Sequence, residues 1–79
     1  MDRSPDVAVA AIIKTAITGQ GWSIAELARK SGVPYATLHR NIHHPEAHSF
    51  KLRQLEKIAE QLGTTVSAMF AQADEATAA

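Results

Sequence analysis

The amino-acid sequence predicts an all-α domain of five short helices. Apolar residues recur at intervals of three and four positions along most of the chain, which is the spacing of one helical face. Serine, threonine, proline and glycine stand where such helices would begin and end, and no segment alternates apolar and polar residues as a half-buried strand does. With 79 residues, the chain has room for one small domain.

The first helix is predicted to begin at Ser4-Pro5 and to end at Gly19 and Gly21. A serine hydroxyl can accept from first-turn amides, and proline suits the first helical position because its missing N–H has no partner there. Trp22 follows and is predicted to close the core between the first two helices. The apolar face of the first helix comprises Val9, Ile12, Ile13, Ala16 and Ile17.

The second and third helices are short and only a few residues apart. Ser23 and Glu26 form a capping box that starts the second helix, and Gly32 ends it because glycine enters a left-handed cap without a Cβ penalty. Pro34 then opens the third helix. The residues predicted to face inward from this pair are Ile24, Leu27, Ala28, Ser31, Val33, Leu38 and Ile42.

Two further helices follow a loop that is rich in histidine. The fourth is predicted to run from Leu52 to Gly63, and Thr65 can cap the fifth. The end of the chain is small, acidic and without periodicity, so we predict a folded domain over residues 1–70 and a flexible tail over 71–79. The apolar residues assigned to these two helices are Leu52, Leu55, Ile58, Ala59, Leu62, Val66, Met69 and Phe70.

Charge is unevenly distributed although the net charge is zero. Residues 22–57 carry six Lys or Arg and three Glu, a net charge of +3, and they contain all four histidines. Residues 58–79 carry three acidic residues and no Lys or Arg, a net charge of −3. This polarity indicates an anionic partner for the middle of the chain.

Several function classes are disfavoured by composition. The absence of cysteine removes disulfides, thiolate metal sites and cysteine nucleophiles, and it fits a reducing, cytoplasmic location. The longest apolar run, Val7 to Ile13, has seven residues, whereas a membrane helix needs about 20. Because no nucleophile, base and acid form a convincing set, we expect neither an enzyme nor a cofactor or small-molecule substrate.

Residues 24–38 have the spacing of two helices that cross steeply around a glycine turn. Counted from Ile24, Ala28 is fifth, Gly32 ninth and Leu38 fifteenth, which are the positions of the close approach, the turn and the filled crossing. With these residues the chain resembles the helix-turn-helix of the Cro and lambda-repressor-like (Xre) family of phage and bacterial regulators. The resemblance extends from Ser23 to Phe70, because the later apolar pattern is similar to that family's helices four and five. That later pattern is Phe50-x-Leu52-x-x-Leu55-x-x-Ile58-Ala59-x-x-Leu62-Gly63.

The resemblance implies a lambda-repressor-like DNA-binding domain whose helix-turn-helix is formed by helices 2 and 3. The implied function is a sequence-specific transcriptional regulator, such as a repressor, that reads the major groove of double-stranded DNA with the helix starting near Tyr35. The base-reading residues implied are Tyr35, Ala36, His39 and Arg40. The predicted phosphate contacts are Thr37, His43, His44, Lys51 and Arg53.

A homodimer on an operator with an inverted repeat is expected, because one short helix presents little surface for tight binding. Its interface would come from the fifth helix, including Met69 and Phe70, or from the first helix. The sequence departs from the family pattern at four positions. One has an apolar residue where a polar one is usual, two have a polar residue where an apolar one is usual, and one has a basic residue where a helix cap is usual. Polar residues at two usually apolar positions predict looser packing there, and the basic residue at a helix start is a poor cap but a plausible phosphate ligand. These departures are Ile24, Ser31, Asn41 and Lys51.

Other interpretations remain open at this point. The same fold serves protein-interaction or antitoxin-like adaptor modules, and the ring of Tyr35 could pack on the second helix instead of reading DNA. His39 and His43 are one helical turn apart, with His44 and His48 near, a spacing that could hold a metal. We predict no metal site, because no Cys is present and Glu46 alone could complete the set.

Overall fold

The structure is a computed structural model that describes the backbone of residues 5–78 and the side chains of residues 6–75. Within this range there are five helices and no strand, which confirms the predicted all-α class. The predicted cap Ser4 lies outside the described residues. The helices are α1 (Pro5–Gln20), α2 (Ile24–Ser31), α3 (Tyr35–His43), α4 (Leu52–Gln61) and α5 (Val66–Ala78).

The boundaries of α2 follow from local hydrogen bonds. The Glu26 amide donates to Ser23 Oγ at 3.1 Å, and the Ser23 amide donates to Glu26 Oε1 at 3.2 Å, so the predicted capping box is present. At the other end Gly32 adopts φ 79°, and its amide donates to the Ala28 carbonyl at 2.9 Å. A Cβ at Gly32 would meet nothing within 4 Å, so glycine is favoured here by backbone conformation alone.

The five helices pack around one hydrophobic core. α1 lies against α5 and α3, α2 lies against α3 and α4, and α4 contacts α5. The Cα radius of gyration is 11.6 Å, which matches the value of about 11.6 Å expected for a compact domain of this length. The fully buried side chains at the centre are Val9, Ile13, Leu27, Leu38, Ile58 and Met69.

Two polar residues share this interior. Ser31 and Asn41 are 9% and 4% exposed. Ser31 Oγ accepts the Val33 amide at 3.2 Å, and Asn41 Nδ2 donates to Gln54 Oε1 at 3.3 Å. Burial of a polar group is costly unless it is hydrogen-bonded. Ser31 and Asn41, two of the four departures from the family pattern, therefore each have a hydrogen-bond partner.

Two apolar assignments differ from the sequence prediction. Leu52 was assigned to the core face of α4 but is 63% exposed, because it opens the helix before the turn that carries the buried Leu55. Met69 was named for a dimer surface but is 1% exposed, because the side of α5 that bears it faces the rest of the molecule. Phe70, its neighbour, is 40% exposed.

The end of the chain also differs from the predicted boundary after residue 70. α5 continues to Ala78, and Ala73 is 3% exposed. Alanine has high helix propensity and is small enough to lie in a close contact between helices, and α5 packs along α1. The predicted flexibility of residues 71–79 stays a prediction, and Ala79 lies outside the described residues.

Among the described helices, none has both the length and the apolarity needed to cross a bilayer by itself. The segments Asp6–Gln20 and Ile24–Ser31 reach that threshold only when taken together, and the chain bends by 96° between them. Both contribute residues to the hydrophobic core.

Leu38→Ala is expected to lower the free energy of unfolding by about 2–5 kcal/mol, because it removes a fully buried side chain. Leu52→Ala makes the same chemical change at a mostly exposed position and should alter stability by less than about 1 kcal/mol. Urea denaturation followed by circular dichroism measures both. Equal losses in the two variants would place Leu52 in the core and contradict the structure.

Candidate nucleic-acid interface

α3 is held to the molecule along one side. Leu38, Asn41 and Ile42 are buried, and they lie at the three- and four-residue spacing that shares a helical face. A helix of nine residues has little stability by itself, since isolated helices shorter than about 12–15 residues are marginal in water. Packing against α1 and α2 therefore fixes both the helix and the direction of its outer side.

The outer side of α3 carries the residues predicted to read bases. Tyr35 is 51% exposed, and Ala36, His39 and Arg40 are also exposed. Thr37, predicted to contact phosphate, is half-buried at the flank. The structure thus leaves all four predicted base-reading side chains on the surface of one helix.

Aromatic rings form a row along this outer side. The ring centroids of Tyr35 and His39 are 5.7 Å apart, and those of His39 and His43 are 4.3 Å apart, with tilted planes in both pairs. Such spacings lie in or just below the usual range for aromatic pairs, about 4.5–7 Å. Tyr35 therefore packs its ring on the next turn of its own helix.

Arg40 lies beside this row. Its Nε donates to the carbonyl oxygen of Ala36 at 3.4 Å, so the side chain runs back along the helix towards its amino terminus. A guanidinium held there has donors in a planar fork, the arrangement that recognises guanine or phosphate. Because the bond is long, a stronger acceptor could replace it at low cost.

His43 is surrounded by other basic groups. Partial desolvation lowers the pKa of His43 below its ordinary value of 6.5, and the neighbouring His39, Lys14 and His44 lower it further. Each nearby positive or ionisable basic group disfavours a second charge on the same surface. A second positive charge at His43 is therefore disfavoured by its own neighbours, of which Lys14 is the lysine.

Lys14 is a member of this cluster that sequence reasoning missed. It is exposed on α1, and it acts on His43 because α1 packs against α3. Lys14 is far from the helix-turn-helix segment in sequence, and helical periodicity does not reveal which distant helix lies alongside. Only the packing of α1 on α3 adds its charge to the candidate interface.

A carboxamide connects α3 to the start of α4. Gln54 Oε1 accepts from Asn41 Nδ2 at 3.3 Å and from the Lys51 amide at 2.9 Å. The second bond is half of a capping box; a lysine side chain has no acceptor to complete it. The exposed residue Lys51 is thereby positioned next to the buried side of α3.

The helices that carry the predicted interface lack side-chain caps. Ser23 caps α2, and Thr65 Oγ1 accepts the Ala68 amide at 3.1 Å at the start of α5. α3 and α4 follow Pro34 and Lys51, and neither residue makes a side-chain cap hydrogen bond. The first-turn amides of these two helices are therefore available to water or to an anion.

The remaining predicted phosphate contacts, Arg53 and His44, are both exposed. Arg53 lies in the first turn of α4. His44 follows the last residue of α3, and its Nδ1 is 4.0 Å from Glu46 Oε1, with both side chains 64% exposed. An exposed pair at that distance contributes little energy, so the orientation of His44 is weakly fixed.

Two other aromatic and histidine features have a local explanation. Trp22 is partly buried against the core, and Lys30 Nζ lies 4.8 Å from its ring centroid as a cation–π contact. The packing of Trp22 against the core agrees with the role predicted for it. In the part of the chain that the structure describes, no three His, Cys, Asp or Glu side chains form a group that could hold a metal ion.

Comparison with protein families, with curated proteins and with solved structures found no match for this chain. The geometry and charge of the surface around α3 are therefore what bears on the function of this protein.

Lys14→Gln is expected to raise the pKa of His43, because it removes one of the neighbouring charges that disfavour the protonated ring. NMR titration of the histidine ring protons measures this in the free protein. Lys57→Gln, an exposed change on α4 outside this cluster, should leave the His43 titration unchanged. A His43 pKa at or above 6.5 in the unmodified protein would contradict the predicted direction.

Proposed function

We propose that this protein is a sequence-specific, double-stranded DNA-binding transcriptional regulator of Cro-like type, acting in the cytoplasm of a bacterial host. In this proposal α2 and α3 form a helix-turn-helix, and α3 inserts its outer side into the major groove. Tyr35, Ala36, His39 and Arg40 read base edges. Ala36 can meet a thymine methyl group, and Arg40 can donate two hydrogen bonds to guanine.

One observation carries the proposal more than any other. The buried side of α3 contains Leu38, Asn41 and Ile42, and its opposite side is uncovered by the rest of the described chain. A reading helix needs both properties, because it must be rigidly held and must also project beyond the molecular surface.

Phosphate binding is supported by the charges and helix ends around α3. Lys51 and Arg53 lie at the uncapped start of α4. Lys14 lies near His43, in the last turn of α3. Thr37, His43 and His44 complete the proposed phosphate contacts. Backbone contacts of this kind would set the position of α3 on the duplex without carrying sequence information.

A homodimer on an inverted repeat remains part of the proposal. Two copies would place their reading helices about 34 Å apart, one turn of the DNA helix. Met69 is buried and cannot join such an interface, so contacts would come from other exposed residues of α5 or from α1. Sedimentation equilibrium with and without an operator fragment measures the assembly state.

A protein-interaction or adaptor function is the second candidate, and the exposed Leu52 and Phe70 favour it. Salt dependence distinguishes the two functions. Affinity for DNA should fall linearly with salt on logarithmic axes, with a slope of about −0.9 for each phosphate neutralised. An apolar protein interface should change little over the same range.

Arg40→Ala is expected to weaken binding to the preferred sequence by about 1–3 kcal/mol and to relax preference at one base position. The preferred sequence is obtained by selection from random duplex DNA, and affinity is measured by fluorescence anisotropy. Arg29→Ala, an exposed cation on α2 outside the proposed contacts, serves as the matched control. Lys51→Ala should weaken binding to all sequences alike and reduce the salt slope by about 1.

Equal losses for Arg40→Ala on selected and random DNA would show that Arg40 contacts phosphate only. Failure of the unmodified protein to bind any duplex at low salt would refute the proposed function.

DNA affinity is expected to rise as the pH falls from about 8 to about 6, because protonated histidines attract phosphate and DNA in turn raises their pKa. In the free protein the pKa of His43 is lowered, so its share of the gain appears at the acidic end of that range. The double variant His39→Ala, His43→Ala should reduce the dependence, because only His44 of the proposed histidine contacts remains, whereas His48→Ala should leave it unchanged. A flat profile in the unmodified protein at fixed salt would remove the histidines from the interface.

A further inference from the structure

A surface groove lies between α4 and the first turns of α5, and the DNA-binding proposal does not use it. We name it the α4–α5 groove; the lining residues used below are Leu52, Glu56, Ala59, Glu60, Val66 and Phe70. Ala59 is buried and Val66 is half-buried, so they form its base. Leu52 and Phe70 rise from it as large apolar side chains, 63% and 40% exposed.

The apolar side chains of this groove are too exposed to serve mainly the core. The described chain has four large hydrophobic residues that are strongly exposed, and two of them lie in this one groove. Single exposed apolar residues are ordinary on protein surfaces, whereas a contiguous group beside a depression marks an interaction site. Leu52, Val66 and Phe70 form such a group.

The charge of the groove is negative. Glu56 and Glu60 are exposed one helical turn apart on α4, and no Lys or Arg lines the groove. The carboxyl-terminal segment to which Glu60 belongs has a net charge of −3. This surface therefore differs in sign from the basic surroundings of α3.

These properties define the kind of partner that fits. We propose that the α4–α5 groove binds an amphipathic helical segment of another protein, with apolar side chains seated on Leu52 and Phe70. Lysine or arginine side chains of that segment pair with Glu56 and Glu60. Helix-in-groove recognition uses this combination of spaced apolar anchors and a charged rim.

Charge also argues against a second copy of this chain as the occupant. In a twofold dimer the same surface meets itself, so Glu56 and Glu60 of both copies would share one interface. Juxtaposed like charges oppose association. A basic partner removes that repulsion and adds attraction.

The groove lies close to the proposed phosphate contacts, since Leu52 stands between Lys51 and Arg53 in the first turn of α4. The proposal nevertheless does not depend on DNA binding. Its test uses no nucleic acid, so the two proposals can fail separately.

The test uses a fluorescent synthetic peptide of about 14 residues that forms an amphipathic helix of leucine and lysine. A matched peptide carries glutamate in place of lysine. Fluorescence anisotropy with the full chain is expected to show binding of the lysine peptide and at least about tenfold weaker binding of the glutamate peptide.

Leu52→Ser and Phe70→Ser are each expected to weaken binding of the lysine peptide by about tenfold or more, as loss of an apolar anchor does. Val7→Ser, which changes another exposed apolar residue on α1, should leave it within about twofold. Glu56→Gln with Glu60→Gln should weaken binding and reduce its salt dependence. Urea denaturation of each variant verifies that the fold is retained.

NMR chemical-shift mapping on the unmodified protein provides a second measurement that needs no variant. Perturbed amides should cluster in α4 and the first turns of α5. The proposal is overturned if the lysine peptide does not bind, if it binds Leu52→Ser and Phe70→Ser as tightly as the unmodified chain, or if the shifts map elsewhere. It is also overturned if Phe70→Ser converts a dimer into monomers, because the groove would then be a self-interface.

Discussion

The attachment of α3 through one side is the constraint on which the rest of this structure depends. The helix is too short to persist in water without tertiary contacts, so the burial of Leu38 and Ile42 creates it as well as orients it. Once that side is buried, the helical repeat places Tyr35, His39 and Arg40 towards solvent. The stability of the domain and the presentation of its candidate interface therefore arise from the same contacts.

The polar contacts at this attachment add direction to the apolar packing. Gln54 bonds both the buried amide of Asn41 and the backbone of Lys51, so one carboxamide joins the buried side of α3 to the start of α4. Hydrogen bonds require particular angles and partners, whereas apolar contacts tolerate sliding. This arrangement gives the last turn of α3 and the uncapped start of α4 a defined relation, which matters if both approach the same phosphate backbone.

The distribution of charge separates two surfaces on a small molecule with no net charge. Basic residues lie on α3 and near it: Arg40 on α3 itself, Lys14 on α1 and Lys51 just before α4. Glu56 and Glu60 lie along the α4–α5 groove, with Leu52 and Phe70 exposed beside them. A polyanion and a basic amphipathic segment would therefore be drawn to different residues, although Leu52 of the groove stands between Lys51 and Arg53. On this view a neutral chain can serve an anionic partner because local potential, and not total charge, governs encounter.

The sequence by itself determined the helices and most of their inward faces, because caps and apolar periodicity act within a few residues. Ser23, Gly32 and Thr65 set boundaries that the structure retains. The residues that the resemblance implied as base readers, Tyr35, Ala36, His39 and Arg40, are exposed on α3. Tertiary structure alone decided that Leu52 is exposed, that Ala73 is buried, that Lys14 lies near His43 and that Asn41 meets Gln54. Each of these depends on which helices dock and at what position. Docking brings together residues that are far apart in the chain, and a local sequence pattern does not indicate which distant residues will meet.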